Sequence, residues 1–321
     1  MVTAKKFISL SILLVSLSVT AQISVGRSHR GPFDDFKKGD YKIIKAKKTV
    51  FVIDDFKVPE FEKMLSSFWD LNKYIVVSRE DYEKTKENYL TEEYAIFEFK
   101  GDVVTSSPAP GTSGITNEYL HLFYKYYYYS DIKVKNDKTK YDTNEVAAIF
   151  FGGNAEGMWG MINSKTFYNL GENLYNYKLG FMKNYLQFVN TTLKDEWYSF
   201  AYASDYDKKK IKALKTSTLY IPDYLKTKYD AFRGTDSERE SPDDLLKKYS
   251  YKSEFIDTDK LNEKILNATE DFYYLMYTKV NSQKFISVVN GRTGEVVYRE
   301  YDIMSYNIKA KDLSELSSSI K

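Results

Sequence analysis

Asp40-Tyr41-Lys42-Ile43-Ile44-Lys45-Ala46-Lys47-Lys48 aligns with Asp207-Lys208-Lys209-Lys210-Ile211-Lys212-Ala213-Leu214-Lys215, with the same residue at six of nine positions. Such self-similarity is the signature of a duplicated structural unit. After a two-residue slip, Thr49-Val50-Phe51-Val52-Ile53-Asp54 meets Thr218-Leu219-Tyr220-Ile221-Pro222-Asp223. Each is a short apolar run of strand type ending on an acidic residue.

The correspondence extends outward from this stretch. Pro59 suits a first helical turn, and Phe61, Met64, Leu65, Phe68 and Trp69 recur at the spacing of one buried helical stripe. The second copy offers Pro242-Asp243-Asp244 ahead of Leu245, Leu246 and Tyr249, after a charged insertion from Thr227 to Ser241. Strands are expected at Tyr74 to Val77 and Glu254 to Ile256, followed by capping residues Ser78 and Asp257 and by helices carrying Tyr82 and Leu261. Glu92 to Phe97 matches Glu270 to Leu275, and two more strands follow in each copy. These are Tyr119 to Tyr128 with Val146 to Phe151, and Lys284 to Val289 with Glu295 to Tyr301. The glycines of Asn290-Gly291-Arg292-Thr293-Gly294 suit a tight hairpin between the last two.

The fold class expected is therefore α/β (α+β), with two tandem copies of a β-α-β-α-β-β-β unit and mixed sheets. The first copy spans 40–163 and the second 207–321. One large mixed sheet is the competing description. A helical segment, 164–206, separates the copies and is expected to pack on the first and join the two. Phe167, Leu170, Leu174, Tyr177, Phe181, Leu186, Phe188 and Val189 give it helical periodicity. Asn190-Thr191-Thr192 offers a cap for a second helix carrying Leu193, Trp197 and Phe200. Ser106 to Gly114 has turn chemistry and reads as a mobile loop.

The start of the chain bears on compartment. Lys5 and Lys6, the apolar run Phe7 to Val19 and the small residues Val19-Thr20-Ala21 form the pattern of a cleaved export signal, residues 1–21. The apolar run falls short of the roughly 20 residues a membrane helix needs, so no stable membrane insertion is expected after cleavage. Residues 22–39 then read as a flexible mature start. With no cysteine, the chain has neither a disulfide nor a lipid-modified cysteine, so it is not a lipoprotein and fits the bacterial periplasm or cell exterior. Removing Lys5 and Lys6 leaves 45 of 47 basic residues against 45 acidic ones. This balanced charge argues against nucleic acid or an anionic membrane as partner.

Little in the sequence points to catalysis. Only two histidines exist, His29 and His121, and neither has a local partner signature for a triad or a zinc site. Asp54 and Asp223 end the first strand of each copy, where α/β folds often carry functional groups, although turn formation or helix capping by aspartate is the plainer role. Asp205-Tyr206-Asp207 and Asp257-Thr258-Asp259 begin a calcium-like pattern that stops before a loop is complete. No catalytic, cofactor-binding or metal residue is assigned, and no cofactor is expected. The thirty tyrosines serve ordinary packing unless exposed as stacking platforms. The remaining candidate is the glycine-rich stretch Phe150 to Gly160, placed between a strand and a helix but lacking either standard phosphate-loop spacing. Within it Gly153, Asn154 and Trp159 are the candidate contacts for a partner or ligand.

The export signal ending in Thr-Ala-Gln and the Tyr-, Lys- and Asn-rich remainder resemble uncharacterised secreted proteins of Bacteroidota, which implies an envelope location and transfers no functional residues. The element order resembles the N-terminal α/β domain of the periplasmic TolB family, which acts in envelope protein contacts. On these grounds the expected function is that of a non-catalytic exported protein binding another envelope protein, through its sheet edges or the cleft between the copies. The alternatives are a carboxylate-dependent hydrolase of glycans or peptides and a receptor for sugars or small ligands built on exposed aromatics.

Overall fold

The apolar runs of both copies become strands, joined into two six-stranded mixed sheets in a computed structural model that describes residues 22–29, 35–106, 117–136 and 138–321. The first half runs β1 (Ile23–Val25), α1 (Lys38–Ala46), β2 (Lys48–Ile53), α2 (Val58–Ser66), β3 (Tyr74–Ser78), α3 (Arg79–Thr85), β4 (Tyr94–Ser106), β5 (Asn117–Lys135) and β6 (Lys138–Phe151). Helices α4 (Ala155–Ser164), α5 (Leu170–Asn173) and α6 (Leu179–Lys194) follow. The second half runs β7 (Asp205–Tyr206), β8 (Leu219–Pro222), β9 (Thr227–Asp230), β10 (Thr235–Glu238), β11 (Ser253–Ile256), α7 (Thr258–Leu266), β12 (Tyr273–Val280), β13 (Gln283–Asn290), β14 (Val296–Ile303) and α8 (Ala310–Ile320).

Strand order is β3-β2-β4-β5-β6-β1 in the first sheet and β11-β8-β12-β13-β14-β7 in the second. The two orders correspond strand for strand. Directions correspond as well: β2 pairs parallel with β3 and β4, as β8 does with β11 and β12, and the remaining pairs are antiparallel. The fold is mixed α/β with two similar sheets, consistent with two tandem units. The quoted stretches occupy equivalent places, as α1 before β2 and as a 3-10 helix, Lys210–Lys215, before β8. Their shared isoleucines, Ile44 and Ile211, are both fully buried.

Each six-stranded sheet holds one strand more than its sequence pattern suggests, and the second unit adds the β9–β10 hairpin. β1 and β7 precede the quoted stretches and close their sheets against the last strands, β6 and β14. The expected flexible start is corrected in part, because Ile23, Ser24 and Val25 are buried and pair with Ile149, Ala148 and Ala147. Three residues are too few to display an alternation. The expected export signal, 1–21, and residues 107–114 of the turn-rich stretch lie outside the described residues.

The central helix α6 is buried on nearly every side, with Phe181, Met182, Tyr185, Leu186, Phe188, Val189 and Leu193 all inaccessible. A helix that buries most of its circumference belongs between layers. One core accordingly joins Phe97, Tyr124 and Phe151 of the first sheet, Phe181 and Tyr185 of α6, and Tyr274, Met276 and Val289 of the second. The second helix expected after Asn190 does not form. Asn190 lies inside α6 and its side-chain oxygen accepts from the backbone N–H of Asp70 and Leu71, while Ser199 bridges to Val25. On the outer faces, α8 covers the second sheet through Leu313, Leu316 and Ile320, and Tyr82 of α3 covers Val50, Val52 and Ile96 of the first. Several buried tyrosines have paired hydroxyls, as Tyr124 with Tyr177 at 2.8 Å, Tyr126 with Thr49 at 2.6 Å and Tyr274 with Asn184 at 3.1 Å. Among the described residues no helix is long and apolar enough to cross a membrane.

Candidate functional site

The glycine-rich stretch joins β6 to α4. A Cβ on Gly152 would lie 2.3 Å from the Lys279 carbonyl oxygen of β12, and one on Gly153 would lie 2.2 Å from the Asn173 carbonyl oxygen. Close approach of backbones therefore accounts for both glycines. Asn154 caps α4, its side-chain oxygen accepting from Gly157 N–H at 2.7 Å while its amide donates to the Asn173 carbonyl at 3.2 Å. The next free donor, Ala155 N–H, meets Asp236 Oδ2 of β10 at 2.6 Å. A helix N-terminus favours an anion, and here the chain supplies its own carboxylate. Trp159 adds a second tie by donating its indole N–H to the Gly234 carbonyl at 2.9 Å.

The charged insertion of the second copy is thus a hairpin, β9 and β10, clamped onto the first copy's α4. The structure brings Gly153, Asn154 and Trp159 together at this junction. Behind the clamp lies a pocket lined by Tyr175, Tyr224, Tyr229, Tyr277, Lys279 and Arg239, with Asp236 at its wall. Tyr175 and Tyr224 stack at 4.5 Å, and Lys279 Nζ sits 3.2 Å from the centre of the Tyr229 ring. Burial pushes the Lys279 ammonium down to about 8, against a raising influence from Asp236. Arg239 gives donors to the Leu225 and Ile308 carbonyls, each at 2.9 Å.

Outside the clamp, several large apolar side chains are exposed among charged and polar ones. At the hairpin tip Phe232 is 99% exposed, and at the end of β14 Ile303 is 60% and the following Met304 84% exposed. Trp159 is 47% exposed despite its hydrogen bond. The hairpin links these groups, since Gly234 holds Trp159 on one side and Tyr229 meets Tyr306 at 5.8 Å on the other.

The two strand-end aspartates tie β8 and β2 to the helices that follow their parallel neighbours, β11 and β3. Asp223 Oδ1 accepts from the Thr258 N–H at 3.1 Å and the Thr258 hydroxyl at 2.5 Å, at the start of α7. Asp54 holds Arg79, the first residue of α3, at 3.1 Å. Burial raises the Asp54 carboxyl while Arg79 opposes the rise. Arg79 also binds Glu98 at 2.7 Å. Burial pushes that carboxyl up, but Lys100, Tyr127 and Arg79 hold it below the ordinary value.

The acidic triplets are spent similarly. Asp205 pairs with Arg299, Asp207 accepts from Lys209 N–H at 2.8 Å, and Asp257 caps α7. Among the described residues no group of three His, Cys, Asp or Glu could hold a metal ion. His29 is buried against Phe123 and Phe150, with Nδ1 2.6 Å from Glu145. His121 Nε2 lies 3.4 Å from the Asn281 amide.

Sequence reasoning did not single out Asp236, Phe232 or Lys279. The signal that could have found the first two is the insertion itself, which has no counterpart in the first copy. Comparison of the chain with protein-family models, curated proteins and solved structures finds no match.

Proposed function

We propose that this is a non-catalytic exported protein that binds another envelope protein through the apolar surface around the β9–β10 hairpin. The observation that carries the reading is the exposure of Phe232 at the tip of a hairpin pinned at both sides, with Trp159 of α4 and Ile303 and Met304 at the end of β14 exposed as well. Large apolar side chains left exposed on a rigidly held element are the kind that anchor interfaces. Pinning supports the reading because a rigid anchor loses less freedom on binding than a loose one. Since α6 and the clamp fill the space between the two sheets, the docking surface lies on the hairpin's outer side. The candidate carboxylates Asp54 and Asp223 are engaged by Arg79 and Thr258 and lend no support to a hydrolase.

The test is crosslinking capture of the tagged full chain from its native cell envelope, beside a Phe232→Asp, Met304→Asp double variant. A partner captured by the unaltered chain and lost, by at least tenfold, from the variant supports the proposal. Equal capture by both would refute it.

A further inference from the structure

We infer that the free edge of β3 joins a second copy of this chain, the two β3 strands pairing antiparallel about a two-fold axis at Val76 to make one continuous sheet. This surface shares no residue with the exposed hairpin.

β3 lies at the margin of the first sheet and, among the described residues, pairs with β2 alone, in parallel and in unbroken register from Tyr74 to Ser78. Thr49 N–H donates to the Lys73 carbonyl at 2.8 Å, so Lys73, Ile75 and Val77 turn their backbone groups toward β2. Alternation turns those of Tyr74, Val76 and Ser78 outward, where no described strand meets them. Native edges are blunted by charged side chains, proline or a bulge. Tyr74-Ile75-Val76-Val77-Ser78 has none of these.

The equivalent strand of the second unit is guarded. β11 carries the exposed Glu254, and the Lys226 ammonium lies 5.3 Å from the centre of the Phe255 ring. Leu219 N–H donates to the Lys252 carbonyl, which turns the backbones of Ser253 and Phe255 outward. Pairing two β11 strands with Ser253 against Phe255 sets Glu254 opposite Glu254, a destabilising like-charge contact. The same operation on β3 gives β-branched pairs instead. Val76 meets Val76, each N–H reaching the other's carbonyl, Tyr74 meets Ser78, and Ile75 meets Val77 on both sides of the axis. Ile75 and Val77 are partly exposed and pack beside Val50, Val52 and Tyr82, so a second copy extends that apolar cluster. At the ends Lys73 approaches the second copy's Arg79, whose charge is already matched by Asp54 and Glu98. This self-complementarity is what an isologous contact requires, and it selects a second copy over an arbitrary extended peptide.

An interface of one short strand from each copy is small, so the dimer is reversible, with a dissociation constant on the order of 10–100 μM. Sedimentation of the full chain between about 1 and about 500 μM, a range that brackets this constant, should show monomer giving way to dimer. Hydrogen exchange of the segment covering Tyr74 to Ser78 should slow by about fivefold or more over the same range. Two double variants separate pairing from folding. Ile75→Lys with Val77→Lys opposes like charges across the axis and should stay monomeric, whereas Ile75→Lys with Val77→Glu opposes lysine to glutamate and should keep the dimer. A chain monomeric at every concentration, a dimer whose β3 amides exchange as fast as the monomer's, or a lysine–lysine variant that dimerises like the unaltered chain would each overturn the inference. Protection of β3 that needs a different envelope protein, and does not rise with the chain's own concentration, would overturn it as well.

Discussion

Replacing Gly152 by alanine tests whether the glycine-rich stretch serves close packing between the halves. The added methyl would lie 2.3 Å from the Lys279 carbonyl oxygen, whereas ordinary contacts begin at 3.4 Å, so about 1 Å of retreat is required. β12 cannot readily supply it, because Lys279 is paired with Lys284 in the antiparallel ladder with β13. Gly152 is not among the glycines with positive φ, so alanine carries no conformational penalty there and loses less entropy on folding than glycine, a gain of about 0.4–1 kcal/mol. Overpacking costs about 1–3 kcal/mol, and the midpoints of the two ranges leave a net loss of about 1.3 kcal/mol. Gly39 in α1 has nothing within 4 Å of its added Cβ and serves as the control. Alanine there should stabilise by about 0.5–1 kcal/mol. Urea unfolding followed by tryptophan fluorescence would rank the proteins as Gly39→Ala above unaltered chain above Gly152→Ala. A Gly152→Ala protein as stable as the unaltered chain would refute the close approach of β6 to β12.

Asp236→Ala should cost about 1–2 kcal/mol, because Ala155 N–H loses a charged acceptor at the start of α4. Trypsin would report it directly, as the exposed Arg233 at the hairpin tip becomes a faster cleavage site, while unchanged nicking would argue that the hairpin is not clamped there. Glu300 carries a pH dependence, since burial first and Asp312 second push its carboxyl up to about 7 from an ordinary 4.5. A raised carboxyl stabilises the fold fully below pH 4.5, and that contribution is lost as pH rises through 7. Glu300→Gln should therefore flatten the fall in urea midpoint between pH 5 and pH 8 and leave the variant the more stable of the two at pH 8. Parallel pH curves would show that Glu300 titrates normally.

Much of the fold was legible because burial imposes period. The parallel strands Val50 to Ile53 and Leu219 to Ile221 are apolar on both faces, and both stand out as runs between turn residues. Repetition then made short, ambiguous elements such as β11 readable by comparison with β3. β1 and β7 escaped because three and two residues carry no pattern. The helix after Asn190 was misplaced because a capping residue looks the same when its side chain bonds a distant backbone, here that of Asp70 and Leu71. At the candidate site, Gly153, Asn154 and Trp159 were legible as a strand-to-helix junction. Their engagement by Asp236 and Gly234 was not, because it depends on contacts reaching 75 and 81 residues along the chain.

The strand that seals each sheet comes first in its unit and pairs with the last, Ile23 with Ile149 and Tyr206 with Tyr298. During synthesis β1 must therefore wait unpaired until β6 has been made. The wait is longer for the shared interior, because Phe181 and Tyr185 need Tyr274 and Val289. A nascent chain stopped anywhere before β13 would carry α6 with one flank bare, and would be a natural client for holding factors that keep it unfolded until the remaining strands arrive.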